Sequence, residues 1–311
     1  MDIFPTMITP YKKDRSIDYD TALKYVDWYF ENGMTGIFSI CQSSEIFFLT
    51  LEEKVKLNSL VYKRAKELEK KHGRAFTVVS SGHTSETIEE QAKELNAVWE
   101  SGTDALILIT NRLDPNNEGD DVFIANCQKL ISLLPEDAKF GLYECPHPYK
   151  RLLTPKILDW CIQSGRFTYI KDTCCDLATI TQRAKQLEGT GLKNLNANCQ
   201  TLLGSLKNGC DGYCGIMCNF HPKLYAWLCQ NYKKYPEEAE LVQGVIGNFG
   251  FTEVGLPYPL TAKYHMNLVG IPTENLSRNR HSSEMGDYAK SCMEQMKYAT
   301  NHVEKFIENL N

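Results

Sequence analysis

The sequence contains eight short runs of strand-forming residues that alternate with segments of helical periodicity. Chains of this kind form parallel sheets, either closed as a (β/α)8 barrel or open and doubly wound. No G-x-G-x-x-G motif follows the first run, which weakens the open, dinucleotide-binding alternative. We therefore predict an α/β fold, a (β/α)8 TIM barrel. Its strands are predicted at residues 3–10, 35–40, 75–81, 104–110, 139–145, 167–172, 192–198 and 212–217.

The segments between these runs have the features of amphipathic helices. In the segment 51–71, Thr50 and Glu53 form a T-x-x-E capping box, and apolar residues then recur at helical spacing. Glycines that suit a helix C-terminus follow other segments, as Gly33 and Gly165 do. The remaining barrel helices are predicted at 19–32, 85–101, 126–134, 155–164, 180–188 and 201–208.

The eight units end at about residue 230, so residues 1–230 are predicted to form the catalytic barrel domain. Residues 231–311 are predicted to form a C-terminal helical extension, with helices at 235–247, 259–269 and 282–310. No linker rich in proline, glycine or serine separates the two parts. We therefore expect the extension to pack on the barrel.

Composition excludes several classes of function. The net charge of −5 disfavours a nucleic acid partner, because phosphate binding needs a basic face. The first residues lack the apolar core of a signal peptide, and no apolar run of 18 residues predicts a membrane span. A cytoplasmic protein without a membrane partner is therefore expected.

Twelve cysteines are present, and the expected compartment favours reduced thiols. Cys210, Cys214 and Cys218 have C-x3-C-x3-C spacing, which differs from zinc and iron–sulfur motifs, so no metal is predicted. The simpler interpretation is that these three cysteines are buried and act as small apolar side chains. A thiol-lined, oxidation-sensitive pocket stays a hypothesis, because seven cysteines lie near predicted strand ends: Cys41, Cys145, Cys174, Cys175, Cys199, Cys214 and Cys218.

Polar residues gather where the predicted strands end, which is where barrels of this type perform chemistry. Lys171 ends the sixth strand, Tyr143 ends the fifth, and Met217 ends the eighth. A lysine in an apolar setting favours the neutral amine, which can attack a carbonyl, and a nearby tyrosine can carry protons. Small residues in a tight loop can offer N–H groups to a carboxylate. This combination suits a 2-oxo acid such as pyruvate.

The same residues resemble those of the dihydrodipicolinate synthase and N-acetylneuraminate lyase family of class I, Schiff-base aldolases. The resemblance extends over nearly the whole chain. "ITPYKKDRSID" resembles the opening strand and turn of that family, and "CQSSEIFFLTLEEK" resembles its carboxylate loop. "YECP" and "YIKDT" resemble the segments that carry the tyrosine and the imine lysine, and "YPLTAKYHMNLVGIP" resembles a late helix.

The resemblance implies roles for individual residues. Lys171 would form the imine and Tyr143 would transfer protons. Gln42, Ser43 and Ser44 would form the loop that holds the substrate carboxylate, with Met217 as a further substrate contact; Glu45 would brace the loop. No cofactor and no metal is implied, and family members usually assemble as tetramers or dimers.

The chain also departs from the family pattern. Its loop 41–45 lacks both family glycines, and Gln42 replaces a hydroxyl residue that links the tyrosine to a proton relay. No tyrosine occurs in 110–113, which removes one reason to expect a homo-oligomer. His147-Pro148-Tyr149 stands where the synthases have an arginine for the second substrate. Other contacts with that substrate are therefore expected, and the candidates are His83, Arg112 and His147.

Three functions follow from these observations. The first is a lyase or aldolase that joins pyruvate or a related 2-oxo acid to an aldehyde through a lysine imine. The second is a 2-keto-3-deoxy-sugar-acid dehydratase or hydratase-aldolase that uses the same chemistry. The third is a non-catalytic binding or regulatory descendant of the barrel. Product analysis separates the first two, and failure to bind any 2-oxo acid favours a protein without catalysis.

Overall fold

The computed structural model describes residues 1–310 and confirms the predicted barrel. All eight strands are parallel, and each pairs with its neighbour in the order β1-β8-β7-β6-β5-β4-β3-β2. A bridge between Thr6 and Phe38 joins β1 to β2, so the sheet closes on itself. The strands are β1 (Asp2–Pro5), β2 (Gly36–Phe38), β3 (Thr77–Ser80), β4 (Ala105–Ile109), β5 (Phe140–Tyr143), β6 (Phe167–Asp172), β7 (Lys193–Asn196) and β8 (Gly212–Gly215).

Helices surround the barrel and form the C-terminal extension. The barrel helices are α1 (Tyr19–Glu31), α2 (Leu51–His72), α3 (Ile88–Glu100), α4 (Thr110–Leu113), α5 (Asp120–Ser132), α6 (Pro155–Ser164), α7 (Leu177–Leu187), α8 (Leu202–Lys207) and α9 (Pro222–Asn231). The extension contains α10 (Pro236–Val254), α11 (Leu260–Leu268) and α12 (Asp287–Glu308).

The capping residues of α2 behave as the sequence predicts. Thr50 Oγ1 accepts a hydrogen bond from the Glu53 amide, and Glu53 Oε2 accepts one from the Thr50 amide. Gly73 ends the helix in the left-handed conformation, with φ 64°. Leu57 and Val61 lie on the buried face, so the apolar stripe packs against the barrel.

Four helices differ from the prediction. The short helix α4 occupies the end of predicted strand four, and α9 was not predicted at all. Nearly every side of α9 is buried, including Leu224, Tyr225 and Cys229, so its sequence lacks the polar face that marks a surface helix. Helix α5 begins six residues earlier than predicted, at Asp120, and α10 continues to Val254.

The core has an inner and an outer part. Aliphatic and aromatic side chains such as Phe4, Phe38 and Ile107 fill the barrel interior. A larger outer cluster joins α1, α2 and α9 to the extension, to which α10 contributes Val242 and Ile246. The extension therefore shares one hydrophobic core with the barrel. Among residues 1–310, no helix combines the length and hydrophobicity needed to cross a membrane.

Candidate active site

Lys171 lies next to the end of β6 and points into the barrel mouth. Its Nζ is 3.9 Å from the centre of the Tyr143 ring and 6.0 Å from that of Phe38. The residue is 9% exposed, yet no carboxylate within residues 1–310 forms an ion pair with it. Two other lysines are buried, and each has a partner: Lys54 pairs with Glu94, and Lys263 with Glu45. Lys171 is thus a nearly buried ammonium group without a counter-charge.

Asp172, the neighbour of Lys171, faces the opposite side of the sheet, as alternation along a strand requires. Its Oδ2 is 2.8 Å from Arg183 Nη1, and Arg183 Nη2 is 2.7 Å from Glu144 Oε1. Burial raises the pKa of Glu144, and the Arg183 guanidinium opposes this effect. The Thr173 amide also donates to Glu144 Oε2 at 2.8 Å. This buried network holds the ends of β5 and β6 against α7, on the outer side of the barrel.

Tyr143 faces Lys171 across the sheet, because the two residues are register partners in β5 and β6. Its hydroxyl donates a hydrogen bond to Gln42 Oε1 at 2.9 Å. The Cys145 thiol lies 3.6 Å from the same oxygen. Burial raises the pKa of Tyr143 well above its usual value, so the phenol remains protonated at neutral pH. Gln42 therefore fixes the orientation of the phenolic O–H.

The loop after β2 forms a short 3-10 helix, Gln42–Ser44. The first N–H groups of a helix have no partner inside it, and those of Gln42 and Ser43 donate to no backbone acceptor in residues 1–310. The Ser43 hydroxyl donates to Thr6 Oγ1 at 3.0 Å. The Ser44 hydroxyl is instead bound within the loop, 2.7 Å from the Ser39 carbonyl oxygen. The loop therefore presents two amide N–H groups without backbone acceptors next to the Ser43 hydroxyl.

Glu45 ends this loop in the left-handed conformation, with φ 62°, and its carboxylate is buried. Glu45 Oε1 is 2.7 Å from Lys263 Nζ in α11. Its Oε2 accepts hydrogen bonds from the Ser277 hydroxyl at 2.8 Å and the Arg278 amide at 2.6 Å. Burial lowers the pKa of Lys263 to about 8, although the Glu45 carboxylate opposes the shift. Glu45 thus fastens the loop to the C-terminal extension.

A model of the dihydrodipicolinate synthetase family matches residues 1–298. The chain belongs to this family. The 4-hydroxy-tetrahydrodipicolinate synthase of Methanococcus maripaludis strain C5 is 24% identical over 282 residues, covering 88% of this chain and 90% of that protein. The synthase of the same name from Jannaschia sp. strain CCS1 is 22% identical over 281 residues, covering 88% of this chain and 89% of that protein.

Solved structures of dihydrodipicolinate synthases have the same architecture. One from Bacillus anthracis gives a TM-score of 0.83 at 16% identity, over 96% of this chain and 97% of that one. One from Acinetobacter baumannii, solved in complex with pyruvate, gives a TM-score of 0.81 at 17% identity, over 96% of this chain and 98% of that one. At these identities the likeness establishes the fold.

In this member of the dihydrodipicolinate synthetase family, the predicted second-substrate residues have different surroundings. His83 is fully buried; its Nδ1 is 2.8 Å from Gln91 Oε1, and its Nε2 accepts from the Ile109 amide at 2.6 Å. Burial lowers the pKa of His83 to about 4, so the ring is neutral. Both nitrogens are used inside the fold, and His83 has no free donor for a ligand.

Arg112 and His147 both contact the aromatic ring of Phe47, which follows the loop 41–45. The Arg112 guanidinium is 5.5 Å from the ring centre, and the His147 ring meets Phe47 edge-on at 5.3 Å. Arg112 forms no ion pair with residues 1–310, and its buried Nε has no hydrogen-bond partner there. Met217 is buried in the 3-10 turn Ile216–Asn219 that follows β8.

Neither Thr6 nor Tyr258 is among the residues predicted from the sequence. Thr6 follows β1 directly and receives the Ser43 hydrogen bond. Tyr258 lies between α10 and α11, and its hydroxyl accepts a hydrogen bond from Asn219 Nδ2 at 3.2 Å. Position at a strand end could have identified Thr6. Nothing in the local sequence indicates that Tyr258, from the extension, reaches the barrel.

The seven cysteines near strand ends do not form one pocket. Burial raises the pKa of Cys145, and that of Cys214 to about 12, so these thiols are protonated at neutral pH. No three potential metal ligands within residues 1–310 are arranged to hold an ion. Cys41, Cys145 and Cys214 line the barrel interior, Cys199 and Cys218 are buried in the outer core, Cys174 is half-buried and Cys175 is exposed.

Proposed function

We propose that this protein is a class I aldolase-type lyase that binds pyruvate or a related 2-oxo acid as an imine on Lys171. The observation that carries the proposal is the unpaired Lys171 amine, 3.9 Å from the Tyr143 ring centre inside a closed barrel mouth. A lysine amine without a counter-charge, facing aromatic rings inside the barrel, is placed to act as the nucleophile that adds to a ketone carbon.

The reaction begins when Lys171 Nζ adds to the ketone carbon and the carbinolamine loses water. Loss of a proton from the next carbon then gives an enamine, which adds to an aldehyde; cleavage is the reverse. Tyr143 is the proposed proton carrier for these steps, since its ring lies against the amine and its hydroxyl stays protonated. The Gln42 amide orients the phenol but relays protons poorly, so the proton must pass between Tyr143 and the substrate.

The loop after β2 supports binding of the substrate carboxylate. The N–H groups of Gln42 and Ser43 and the Ser43 hydroxyl are the proposed donors, whereas Ser44 supports the loop through its own hydrogen bonds. Met217 would contact the apolar side of the 2-oxo acid. The related Acinetobacter baumannii synthase was solved in complex with pyruvate, which agrees with this choice of ligand.

Arg112 and His147 are the proposed contacts for the second substrate. The Arg112 guanidinium has no anionic partner of its own, and Phe47 separates it from the carboxylate loop. An aldehyde with a carboxylate at its far end would supply the missing charge. His83 is left out of this proposal because both ring nitrogens are occupied.

The first experiment is borohydride trapping with pyruvate, read by intact mass and peptide mapping. The expected result is one reduced pyruvyl adduct on Lys171 in the unaltered protein and none in Lys171→Ala. Lys150→Ala is the matched control, because Lys150 is an exposed lysine whose Nζ contacts the Thr173 carbonyl at the same end of the barrel. This variant should trap pyruvate like the unaltered chain.

The outcomes separate the three functions. If folded protein traps neither pyruvate nor longer 2-oxo acids, the proposal is wrong and a non-catalytic role is favoured. If Lys171 forms the adduct but a 2-keto-3-deoxy sugar acid loses water without releasing pyruvate, the protein is a dehydratase of the same chemistry. Release of pyruvate from such an acid supports the lyase, and so does condensation of pyruvate with an aldehyde.

A further inference from the structure

A buried asparagine holds the short helix α4 against the loop 145–149, which follows β5. Asn111 is 2% exposed, and its Nδ2 lies 2.6 Å from the Tyr149 carbonyl oxygen. The carbonyl oxygens of Cys145 and His147 lie 2.9 Å and 3.0 Å from the same nitrogen. Carbonyl oxygens only accept hydrogen bonds, so the nitrogen must face them and the orientation of the amide is fixed.

The helix and the loop each carry one of the proposed contacts for the second substrate. Arg112 follows Asn111 directly in α4, and His147 is the central residue of the loop. The guanidinium and the imidazole contact the same ring, that of Phe47. Residues 146–148 are exposed, so little apolar burial holds this part of the loop in place. The hydrogen bonds from Asn111 are therefore the main restraint on its backbone.

Asn111 is used for donation alone. Its Oδ1 is buried and has no hydrogen-bond partner within residues 1–310. Such an oxygen is destabilising, so an apolar side chain of similar size would suit the position better if packing were the only requirement. Thr110 Oγ1 donates to the Arg151 carbonyl oxygen at 2.8 Å, and Asp114 Oδ2 is 2.8 Å from Arg151 Nε. Among the four residues of α4, only Asn111 bonds the main chain of 145–149.

We propose that Asn111 is a positioning residue for the second substrate: through three main-chain carbonyls it holds the His147 ring against Phe47, at a fixed separation from Arg112. The inference rests on the proposed function, because it assigns a role within that same site. Asn111 lies behind the loop and contacts neither Lys171 nor Tyr143, so its effect is on binding of the aldehyde and not on formation of the imine.

The test compares Asn111→Ala with the unaltered protein in two binding measurements. Borohydride trapping over a range of pyruvate concentrations reports the first substrate. For the second, the fully reduced pyruvyl adduct is freed of borohydride and titrated by calorimetry with succinic semialdehyde, an aldehyde with a carboxylate at its far end. The reduced adduct does not turn over, so the titration reports binding alone.

Half-maximal pyruvate trapping should be unchanged in Asn111→Ala, because water can reach the freed carbonyls of an exposed loop and the barrel keeps its fold. The Kd for succinic semialdehyde should rise about tenfold, the effect of losing one charge-assisted hydrogen bond. Asn111→Ser keeps one short donor and should give a smaller rise; it replaces Asn111→Ala if that variant does not fold. In an Arg112→Gln background, Asn111→Ala should have little further effect.

Asn267→Ala is the matched control, since Asn267 also uses its amide to hold the main chain of a turn. Its Nδ2 is 2.8 Å from the Thr273 carbonyl oxygen in the extension, outside the loop 145–149. This variant should leave both binding constants unchanged. The inference is wrong if the two asparagine variants behave alike, if Asn111→Ala weakens pyruvate and aldehyde equally, or if the unaltered adduct does not bind succinic semialdehyde. Failure of the unaltered protein to form any adduct would instead contradict the proposed function.

Discussion

At the scale of single residues, Lys171 and Asp172 show how one strand separates two kinds of charge. Asp172 turns outward to a buried arginine, while Lys171 turns inward to aromatic rings and no carboxylate. Neighbouring residues of a strand face opposite sides of the sheet, so the two charges do not neutralise each other. Pairing with the adjacent aspartate, the simplest interpretation of a buried lysine, is therefore ruled out for Lys171.

Arg112 gives a prediction at the same scale. Arg112→Gln should raise the KM for an aldehyde carrying a carboxylate by about tenfold or more, because a charge-assisted hydrogen bond is lost. The KM for a neutral aldehyde of similar size should stay the same. Product formation from pyruvate and each aldehyde, followed by NMR, measures both constants.

Arg112→Lys and Lys150→Gln complete that experiment. Arg112→Lys retains the charge and should restore part of the affinity, although lysine lacks the planar guanidinium that can donate two hydrogen bonds to one carboxylate. Lys150→Gln removes an exposed charge near the same mouth and should leave both KM values unchanged. An equal loss with charged and neutral aldehydes in Arg112→Gln would count against a role in anion recognition.

At the scale of elements, the loop 41–45 is held from two sides. Its amides belong to a 3-10 turn after β2, and Glu45 at its end pairs with Lys263 of α11. Glu253 lies in the last turn of α10; its Oε1 accepts from the Thr261 hydroxyl of α11 at 2.5 Å, while its buried Oε2 has no partner within residues 1–310. Glu45 therefore links the loop to the extension, and Glu253 links two helices of the extension to each other, each through a buried carboxyl group.

Glu253 makes stability depend on pH. Burial raises the pKa of Glu253 from 4.5 to about 8, so the folded protein retains a proton that the unfolded chain releases. Its contribution to stability is complete below about pH 4.5 and is lost as pH rises to about 8. Glu253→Gln should therefore reduce the fall in unfolding free energy between about pH 5 and about pH 8, by about 1 kcal/mol or more.

Urea unfolding at the two pH values measures this difference. Glu240→Gln is the control, because Glu240 lies on the same helix but forms only an exposed ion pair with Lys207. That variant should follow the pH dependence of the unaltered protein. Identical pH profiles for Glu253→Gln and the unaltered chain would show that Glu253 is ionised when folded.

At the scale of the whole molecule, the extension completes the barrel. Ile246 of α10, Met266 of α11 and Met293 of α12 are fully buried in the cluster that also contains residues of α1, α2 and α9. The same extension carries Lys263, which pairs with Glu45 at the end of the loop 41–45. A barrel without it would expose a large apolar surface and leave Glu45 without a counter-charge.

A chain limited to residues 1–230 should therefore not fold cooperatively. We expect it to lack near-ultraviolet circular dichroism and a calorimetric transition, whereas the full chain unfolds in one transition. A chain of residues 1–308 is the control: it keeps all of α12 and loses only the Leu310 side chain and the hydrogen bond from Tyr235 to the Leu310 carbonyl, so it should still unfold in one transition. A cooperative transition together with pyruvate trapping in the 1–230 chain would instead show that the barrel is an independent domain.

The sequence by itself determined the barrel, because strand and helix periodicities alternate and do not depend on distant contacts. It also located Lys171 and Tyr143, since residues at the ends of parallel strands must meet at one rim. It could not reveal helix α9, because a helix buried on nearly all sides has no alternation of polar and apolar residues. Nor could it reveal the internal hydrogen bonds that occupy the ring nitrogens of His83. Only the tertiary structure decided that Lys263, 218 positions after Glu45 in the chain, pairs with it. That contact depends on how the extension packs on the barrel, and no local pattern in the sequence encodes such packing.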